Sequence, residues 1–228
     1  MRKTLLMIVL GLAVVAVASA GPMDPCMNYL TPVGSSVNVL ADNFACTMGG
    51  LTFSNFSASA AGFPAGYTPI IWLAGGIGGN KTGVDPNTGV VNLYFQTNFN
   101  PVMDVTRDIT FTYTVDGVVV GIDGWMGGQG SRLLSETLTV ADPNNAGQKI
   151  QAGALVLNVA DSFTASSPVT GAPPYTVLKD IQMNGTATTP AGTTEFSQSY
   201  DATVPEPITF VLIGSGLLAL GLIRRVRS

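Results

Sequence analysis

The segment from Ile109 to Val115 most constrains the fold of this chain, because apolar residues and threonines alternate along it without interruption. Ile109, Phe111, Tyr113 and Val115 take one set of positions, and threonines take the other. Successive side chains of a β-strand point to opposite faces of its sheet. The pattern therefore predicts a strand with one face in a core and, on the other face, a threonine ladder that can hydrogen-bond to neighbouring strands.

The residues after this strand predict a hairpin and then a loop. The Asp-Gly dipeptide at 116–117 is a strong type I′ turn signal, and we expect it to return the chain through the valines at 118–120. The glycine-rich segment Gly124–Gly130 predicts a loop around Trp125. We interpret the Trp125 ring as a plug at one end of the core, and an exposed ring that stacks on a sugar is the alternative.

Strand signals recur along the middle of the chain, separated by turn residues. Segments with alternating or continuous apolar residues begin at Leu51, Ile70, Val90, Arg132, Gly153 and Tyr175, and a last short strand is predicted at Glu195–Gln198. The segment 132–140 fits a strand or a helix, and its threonines and valine favour the strand. About seven to ten short strands with turn residues every ~8–12 positions are typical of a sandwich. We therefore predict that residues 21–203 form an all-β domain, an antiparallel β-sandwich of jelly-roll or immunoglobulin-like type. The spacing leaves a closed barrel open.

One charged residue lies on an apolar face of these predicted strands. Glu136 shares a face with Leu134 and Leu138. We predict that this inward charge protects an edge strand from wrong pairing, and a catalytic carboxylate is the alternative. Lys179 likewise interrupts the apolar alternation of Tyr175–Met183.

Residues 1–20 predict a secretory signal peptide. Arg2 and Lys3 precede an apolar core from Leu5 to Val17, and small residues follow this core. We expect signal peptidase to cut between Ala20 and Gly21, so that the rest of the chain is exported.

The last segment, residues 204–228, combines a proline signal, an apolar span and a basic end. Prolines remove backbone donors, which keeps Val204, Pro205, Glu206 and Pro207 extended and exposed. Residues 208–223 carry no charge and predict a single transmembrane helix, about 24 Å long against a hydrocarbon core of ~30 Å. The arginines of the basic end, which act as a membrane stop on the cytoplasmic side, are Arg224, Arg225 and Arg227.

In order, spacing and terminal position this tail resembles the PEP-CTERM domain of Gram-negative bacteria, whose namesake tripeptide matches Pro205-Glu206-Pro207. The resemblance implies that a membrane-embedded exosortase recognises and cleaves the tail. It also implies transient anchoring in the inner membrane, followed by transfer to the cell surface or the extracellular matrix, where exopolysaccharide or biofilm is the expected partner. An ordinary tail anchor behind a chance Pro-Glu-Pro is the alternative.

The charge of the chain is concentrated between its two apolar ends. Residues 21–207 hold five of the ten basic residues and all fourteen acids, a net charge of −9. Such a surface repels nucleic acid and anionic lipid, so we expect neither as a partner.

The two cysteines of the chain, Cys26 and Cys46, both lie in the exported part. In an oxidising compartment a disulfide is the simplest outcome for such a pair, and it would contribute about 3 kcal/mol. A zinc site is the alternative, but the chain has no histidine, so carboxylates would have to complete it.

The absence of histidine also removes Ser-His-Asp and Cys-His catalysis. Asp85–Gly89 and Asp142–Gly147 contain oxygen donors for Ca²⁺ but lack the spacing of a calcium loop, so we interpret both as turns and predict no metal or cofactor. We therefore expect a non-catalytic surface or matrix protein. An exported carbohydrate-active enzyme with paired carboxylates is the alternative, because such an enzyme needs no histidine.

Overall fold

The computed structural model describes residues 25–30, 35–41, 43–75, 81–158 and 164–202. The predicted signal peptide, with its cut between Ala20 and Gly21, and the tail at 204–228 lie outside these residues. Among the residues described, no helix has the length and apolar character needed to span a bilayer.

Within the described ranges the chain forms a short 3₁₀ helix, Cys26–Leu30, and thirteen strands. In chain order the strands are β1 (Ser36–Asn38), β2 (Cys46–Met48), β3 (Leu51–Ala61), β4 (Ile71–Ala74), β5 (Gly83–Val84), β6 (Val91–Val102), β7 (Thr106–Asp116), β8 (Val119–Gln129), β9 (Ser131–Ala141), β10 (Lys149–Asn158), β11 (Thr164–Pro168), β12 (Tyr175–Asn184) and β13 (Ala191–Ala202).

The strands form two antiparallel sheets that pack as a sandwich, which confirms the predicted fold class. The larger sheet has the order β1-β4-β6-β13-β8-β11, and β5 pairs beside β6. The smaller sheet has the order β10-β9-β12-β7-β3-β2. Apolar side chains of both inner faces form one core, in which the rings of Phe95, Phe111 and Phe196 contact each other.

The alternation in β7 has the predicted consequence. Ile109, Phe111, Tyr113 and Val115 are all buried, and the intervening threonines lie on the outer face. The Oγ1 of Thr112 lies 2.6 Å from the Oγ of Ser57 on β3, so the threonine ladder does hydrogen-bond across strands.

The predicted hairpin at 116–117 is wrong. β7 pairs with β3 and β12, and β8 pairs with β11 and β13, so this turn carries the chain from the smaller sheet to the larger one. A type I′ turn needs positive φ at both central residues, and of Asp116 and Gly117 only the glycine has it, at +123°. A Cβ on Gly117 would lie 2.7 Å from Cδ2 of Leu51, which shows how closely the crossing chain approaches β3.

In the larger sheet one further sequence prediction is wrong, and another predicts a strand that is too short. Most of the predicted loop Gly124–Gly130 lies inside β8, which pairs on both sides. The predicted short strand at Glu195–Gln198 is part of β13, a twelve-residue strand between β6 and β8. Glycine and serine give a central strand little hydrophobic signal, because the neighbouring strands supply its hydrogen bonds and its apolar cover.

The disulfide is confirmed: Cys26 and Cys46 are bonded, with their Cα atoms 4.8 Å apart. It ties the 3₁₀ helix to β2 at one edge of the smaller sheet. The two turn interpretations also agree with the structure. Oδ1 of Asp85 accepts a hydrogen bond from the N–H of Asn87, and Oδ1 of Asp142 accepts one from the N–H of Asn144, each at 2.8 Å.

Candidate functional site

A polar cluster lies in the centre of the core. Lys179 of β12 and Glu136 of β9 are direct partners in the sheet register and form an ion pair. The Nζ of Lys179 also donates to Oε1 of Gln198, 2.5 Å away on β13 of the opposite sheet. The hydroxyls of Tyr113 and Tyr200 form a second hydrogen bond between the two sheets. Polar contacts therefore join the two layers of the sandwich at its middle.

The position of Glu136 corrects its predicted role. Glu136 does point inward, but β9 lies between β10 and β12 and is not an edge strand. Burial raises the pKa of Glu136 and lowers the pKa of Lys179, and the charge of each partner opposes the shift. Because Glu136 is 1% exposed and Lys179 is 0% exposed, the cluster has no contact with substrate-sized molecules in solution. We therefore interpret the cluster as a contact that stabilises the fold.

The outer face of the larger sheet carries a different set of side chains, which we call the aromatic face. In β8 the buried Met126 and Gly124 face the core, so Trp125 and Asp123 point outward. The same alternation places Glu195 outward beside the buried Phe196. The aromatic face consists of Trp72, Tyr94, Asp123, Trp125, Glu195 and Asp201. Trp125 therefore does not plug the core as we predicted.

Glu195 lies at the centre of the aromatic face. The hydroxyl of Tyr94 donates to Oε2 of Glu195. Burial raises the pKa of Tyr94 to about 12, and the Glu195 carboxylate contributes to the shift. A Cβ on Gly127 would lie 2.7 Å from both Oε1 of Glu195 and Cη2 of Trp125. The absence of a side chain at Gly127 thus lets the indole and the carboxylate meet over the same stretch of backbone.

Two aspartates extend the aromatic face along β8 and β13. Asp123 is paired in register with Ser199, and Asp201 with Gly121. Burial raises the pKa of the Asp123 carboxyl, and the neighbouring Asp201 raises it further. A Cβ on Gly121 would lie 2.6 Å from Oδ2 of Asp201, so this carboxylate lies flat against β8.

The register also sets the distance between the two tryptophans. Trp72 pairs with Gln96, Gln96 with Glu195, and Glu195 with Gly127, two residues from Trp125. The tryptophans are therefore three strands apart, about 14 Å across the sheet at ~4.8 Å per strand. An extended ligand that crosses the strands can contact both rings and the carboxylate between them.

One carboxyl pair that the sequence did not single out lies on the outer face of the smaller sheet. Asp108 of β7 and Asp180 of the adjacent β12 are neighbours on this face. Burial raises the pKa of Asp108 to about 6, and the neighbouring Asp180 adds to the effect. Sequence spacing could not have revealed this pair, because the two strands are far apart in the chain.

The family model of the PEP-CTERM protein-sorting motif matches residues 203–227. The chain is a PEP-CTERM protein. The matched span contains the Pro205-Glu206-Pro207 signal, the apolar run and the arginines of the tail. A PEP-CTERM tail marks an exported protein that is processed by an exosortase and is anchored in the membrane before processing. No curated protein matches the chain.

Two solved structures match this PEP-CTERM protein at low similarity. The enzymatically active domain of tailspike protein 4 from Bacteriophage CBA120 is 13% identical over 64% of this chain and 18% of its own, with a TM-score of 0.30. The structure of TmCBM61 in complex with β-1,4-galactotriose is 7% identical over 64% of this chain and 84% of its own, with a TM-score of 0.27. The chain thus spans about a fifth of the tailspike domain.

Proposed function

We propose that this PEP-CTERM protein is a non-catalytic component of the cell surface or extracellular matrix, and that its sandwich associates with exopolysaccharide through the aromatic face. The observation that carries the proposal is the grouping of Trp125, Tyr94 and Glu195 on an outward face of the sandwich. The sorting tail delivers the chain to the compartment in which such a polymer is found.

The aromatic face has the chemistry that sugar rings require. The apolar faces of pyranose rings pack on indole rings, and the hydroxyls at the rim of a sugar donate hydrogen bonds to carboxylates. Trp125 and Glu195 supply both kinds of contact side by side over Gly127. Trp72 supplies a second ring further along the same path. A polymer that lies across the strands uses both positions at once.

The charge of this face selects among polysaccharides. The strands β4, β6, β8 and β13 contain three acidic residues and no lysine or arginine. An acidic polymer such as alginate is repelled by Glu195, Asp123 and Asp201, whereas a neutral or amino-sugar polymer is not. We therefore propose that the aromatic face binds non-acidic polysaccharides.

The test is co-sedimentation of the purified full chain with a neutral glucan, partly de-N-acetylated chitin and alginate. We expect binding to the first two polymers or to one of them, and none to alginate. Trp125→Ala should weaken that binding about tenfold, or about 1.4 kcal/mol. Val156→Ala is the matched control, because Val156 is 61% exposed on the opposite sheet. Binding that is strongest to alginate, or equal loss in both variants, would contradict the proposal.

An exported carbohydrate-active enzyme is the second candidate, and one observation favours it. Asp123 and Asp201 form a carboxyl pair on the aromatic face, and the raised pKa of Asp123 suits a general acid. Under this alternative Asp123→Asn abolishes release of reducing ends from the bound polymer. Under the non-catalytic proposal neither the wild type nor the variant releases any.

A further inference from the structure

Three side chains with complementary chemistry meet in the middle of the core, and we call them the buried triad. Lys179 extends from β12 and Glu136 from β9, both in the smaller sheet, whereas Gln198 extends from β13 of the larger sheet. Lys179 and Gln198 are 0% exposed and Glu136 is 1% exposed. An amine, an amide and a carboxyl group are therefore held together away from bulk water.

The amine and the amide of the buried triad are in direct contact. The Nζ of Lys179 lies 2.5 Å from Oε1 of Gln198. Because a carbonyl bond is about 1.2 Å long, the amide carbon Cδ lies within about 3.7 Å of this nitrogen. Reacting atoms at ~3–3.5 Å are close to an attack geometry, and a small rotation of the Gln198 amide closes the gap. The Nε2 of Gln198 donates to the carbonyl oxygen of Ser199, so the amide turns its oxygen, and not its nitrogen, toward the lysine.

The carboxyl group of Glu136 is placed to move a proton. Its Oε2 accepts a hydrogen bond from the Nζ of Lys179. Its Oε1 is buried and has no hydrogen-bond partner among the residues that the structure describes, so this oxygen is free to carry a proton. Burial raises the pKa of Glu136 and lowers the pKa of Lys179. Both shifts favour transfer of one proton from the ammonium to the carboxylate, which leaves a neutral, nucleophilic amine beside the amide.

Aromatic rings surround the buried triad. The ring centroid of Phe196 lies 5.8 Å from the Nζ of Lys179. Phe111 of β7 is a register partner of Lys179, and its ring lies 5.9 Å from that of Phe196. The hydroxyls of Tyr113 and Tyr200 are bonded to each other. These rings exclude water, which would otherwise solvate the amine and compete with it for the amide carbon.

We propose that the buried triad forms an amide bond between the side chains of Lys179 and Gln198, in a single reaction per molecule, with Glu136 as the group that transfers the proton. The Nζ of Lys179 forms a bond to Cδ of Gln198, and the bond between Cδ and Nε2 breaks. Glu136 takes a proton from the attacking amine and delivers one to the departing nitrogen, which leaves as ammonia. One amide replaces another, so the reaction needs no oxidant, cofactor or second substrate.

The proposed bond joins the two sheets of the sandwich covalently at their centre, because β12 and β13 belong to different sheets. A link between residues that are 19 positions apart restricts the unfolded chain and so stabilises the fold. Since variants without Lys179 also lack the bond, their stabilities are compared with Gln198→Leu, in which the bond cannot form but the ion pair remains. The inference does not depend on the aromatic face or on a polysaccharide ligand.

Mass spectrometry of the purified full chain, with its termini assigned, tests the proposal. We expect the wild type to be lighter than its sequence by one ammonia. Trypsin cuts after lysine, and a bond at Lys179 blocks that cut, so residues 150–179 should stay joined to the residues that follow them.

Three variants assign the roles in this reaction. Lys179→Arg keeps the positive charge but cannot supply a neutral amine, so it should show no loss of ammonia. Lys149→Arg is the matched control at an exposed lysine and should form the bond as the wild type does. Glu136→Gln keeps the shape of the side chain but cannot accept the proton, and we expect the bonded fraction to fall at least tenfold.

Four outcomes overturn the inference. A wild-type mass equal to that of the unmodified sequence does so whether or not the variants fold. Loss of water in place of ammonia would mean that Lys179 had joined Glu136 and not Gln198. Ammonia loss that persists in Lys179→Arg would place the reaction elsewhere, for example at Asn184-Gly185, because an Asn-Gly pair loses ammonia when it cyclises. A fully bonded Glu136→Gln would show that Glu136 does not transfer the proton.

Discussion

At the scale of single residues, the fully buried Lys179 is a charged group whose burial must be compensated. A fully buried ammonium is unfavourable unless an opposite charge and further hydrogen bonds compensate it. Glu136 supplies the charge and Gln198 supplies a hydrogen bond from the other sheet. Because Gln198 must reach one particular lysine, this contact also specifies how the two sheets are aligned.

Removal of one member of the Lys179–Glu136 pair should therefore lower the free energy of unfolding far more than removal of both. We predict that Lys179→Met lowers the free energy of unfolding by about 3–5 kcal/mol, because it leaves Glu136 buried without its counter-charge. The double variant Lys179→Met, Glu136→Leu should recover most of this loss. Urea unfolding followed by tryptophan fluorescence measures both values. A double variant that is no more stable than Lys179→Met would show that the unpaired charge of Glu136 does not cause the loss of stability.

At the scale of strands, several consecutive strands of this sandwich are joined between the two sheets and not as hairpins within one sheet. The chain passes from β6 to β7, from β7 to β8 and from β8 to β9, and each step changes sheet. Each of these turns must cross the edge of the sandwich in a few residues. Glycine serves at such crossings because it adopts backbone conformations closed to other residues.

The crossing between β7 and β8 provides a direct test of this role. We predict that Gly117→Ala lowers the free energy of unfolding by about 1–3 kcal/mol, because φ at this position is +123° and the added Cβ would contact Leu51 and the Gly50 carbonyl oxygen. Gly83→Ala on β5 is the control, since no atom lies within 4 Å of its added Cβ and its φ is unstrained. Equal stability of the two variants in urea unfolding would contradict this account of the turn.

At the scale of the whole molecule, the tail and the sandwich have separate tasks. The PEP-CTERM tail marks the protein for export and exosortase processing. We propose that the outer surface of the sandwich determines what the protein binds. The residues that form the aromatic face all precede the tail in the chain. Sorting and binding should therefore be separable by mutation.

We predict that replacement of Pro205-Glu206-Pro207 by Ala-Gly-Ala leaves the protein in the inner membrane, because the exosortase no longer recognises the tail. Cell fractionation with immunoblotting measures the distribution. The same replacement at Thr186-Ala187-Thr188, an exposed turn, is the control and should leave delivery unchanged. Unaltered surface delivery of the first variant would instead favour an ordinary tail anchor.

The sequence by itself determined the features that depend on neighbouring residues. Alternation along β7 predicted its buried and exposed faces, because the direction of a side chain in a strand depends only on its position in that strand. The pairing of Cys26 with Cys46 followed from composition and compartment, since the chain offers no other cysteine. The tail was recognised because its three parts are contiguous.

The tertiary structure alone decided which strands pair, and with them the aromatic face. The partner of Glu136 is 43 residues away in the chain, and the partner of Tyr94 is 101 residues away. β8 is a central strand despite its glycines, because its neighbours β11 and β13 supply hydrogen bonds that no local pattern reveals. Strand pairing and the facing of two sheets depend on contacts between distant segments, and for that reason the aromatic face could be located only in the folded protein.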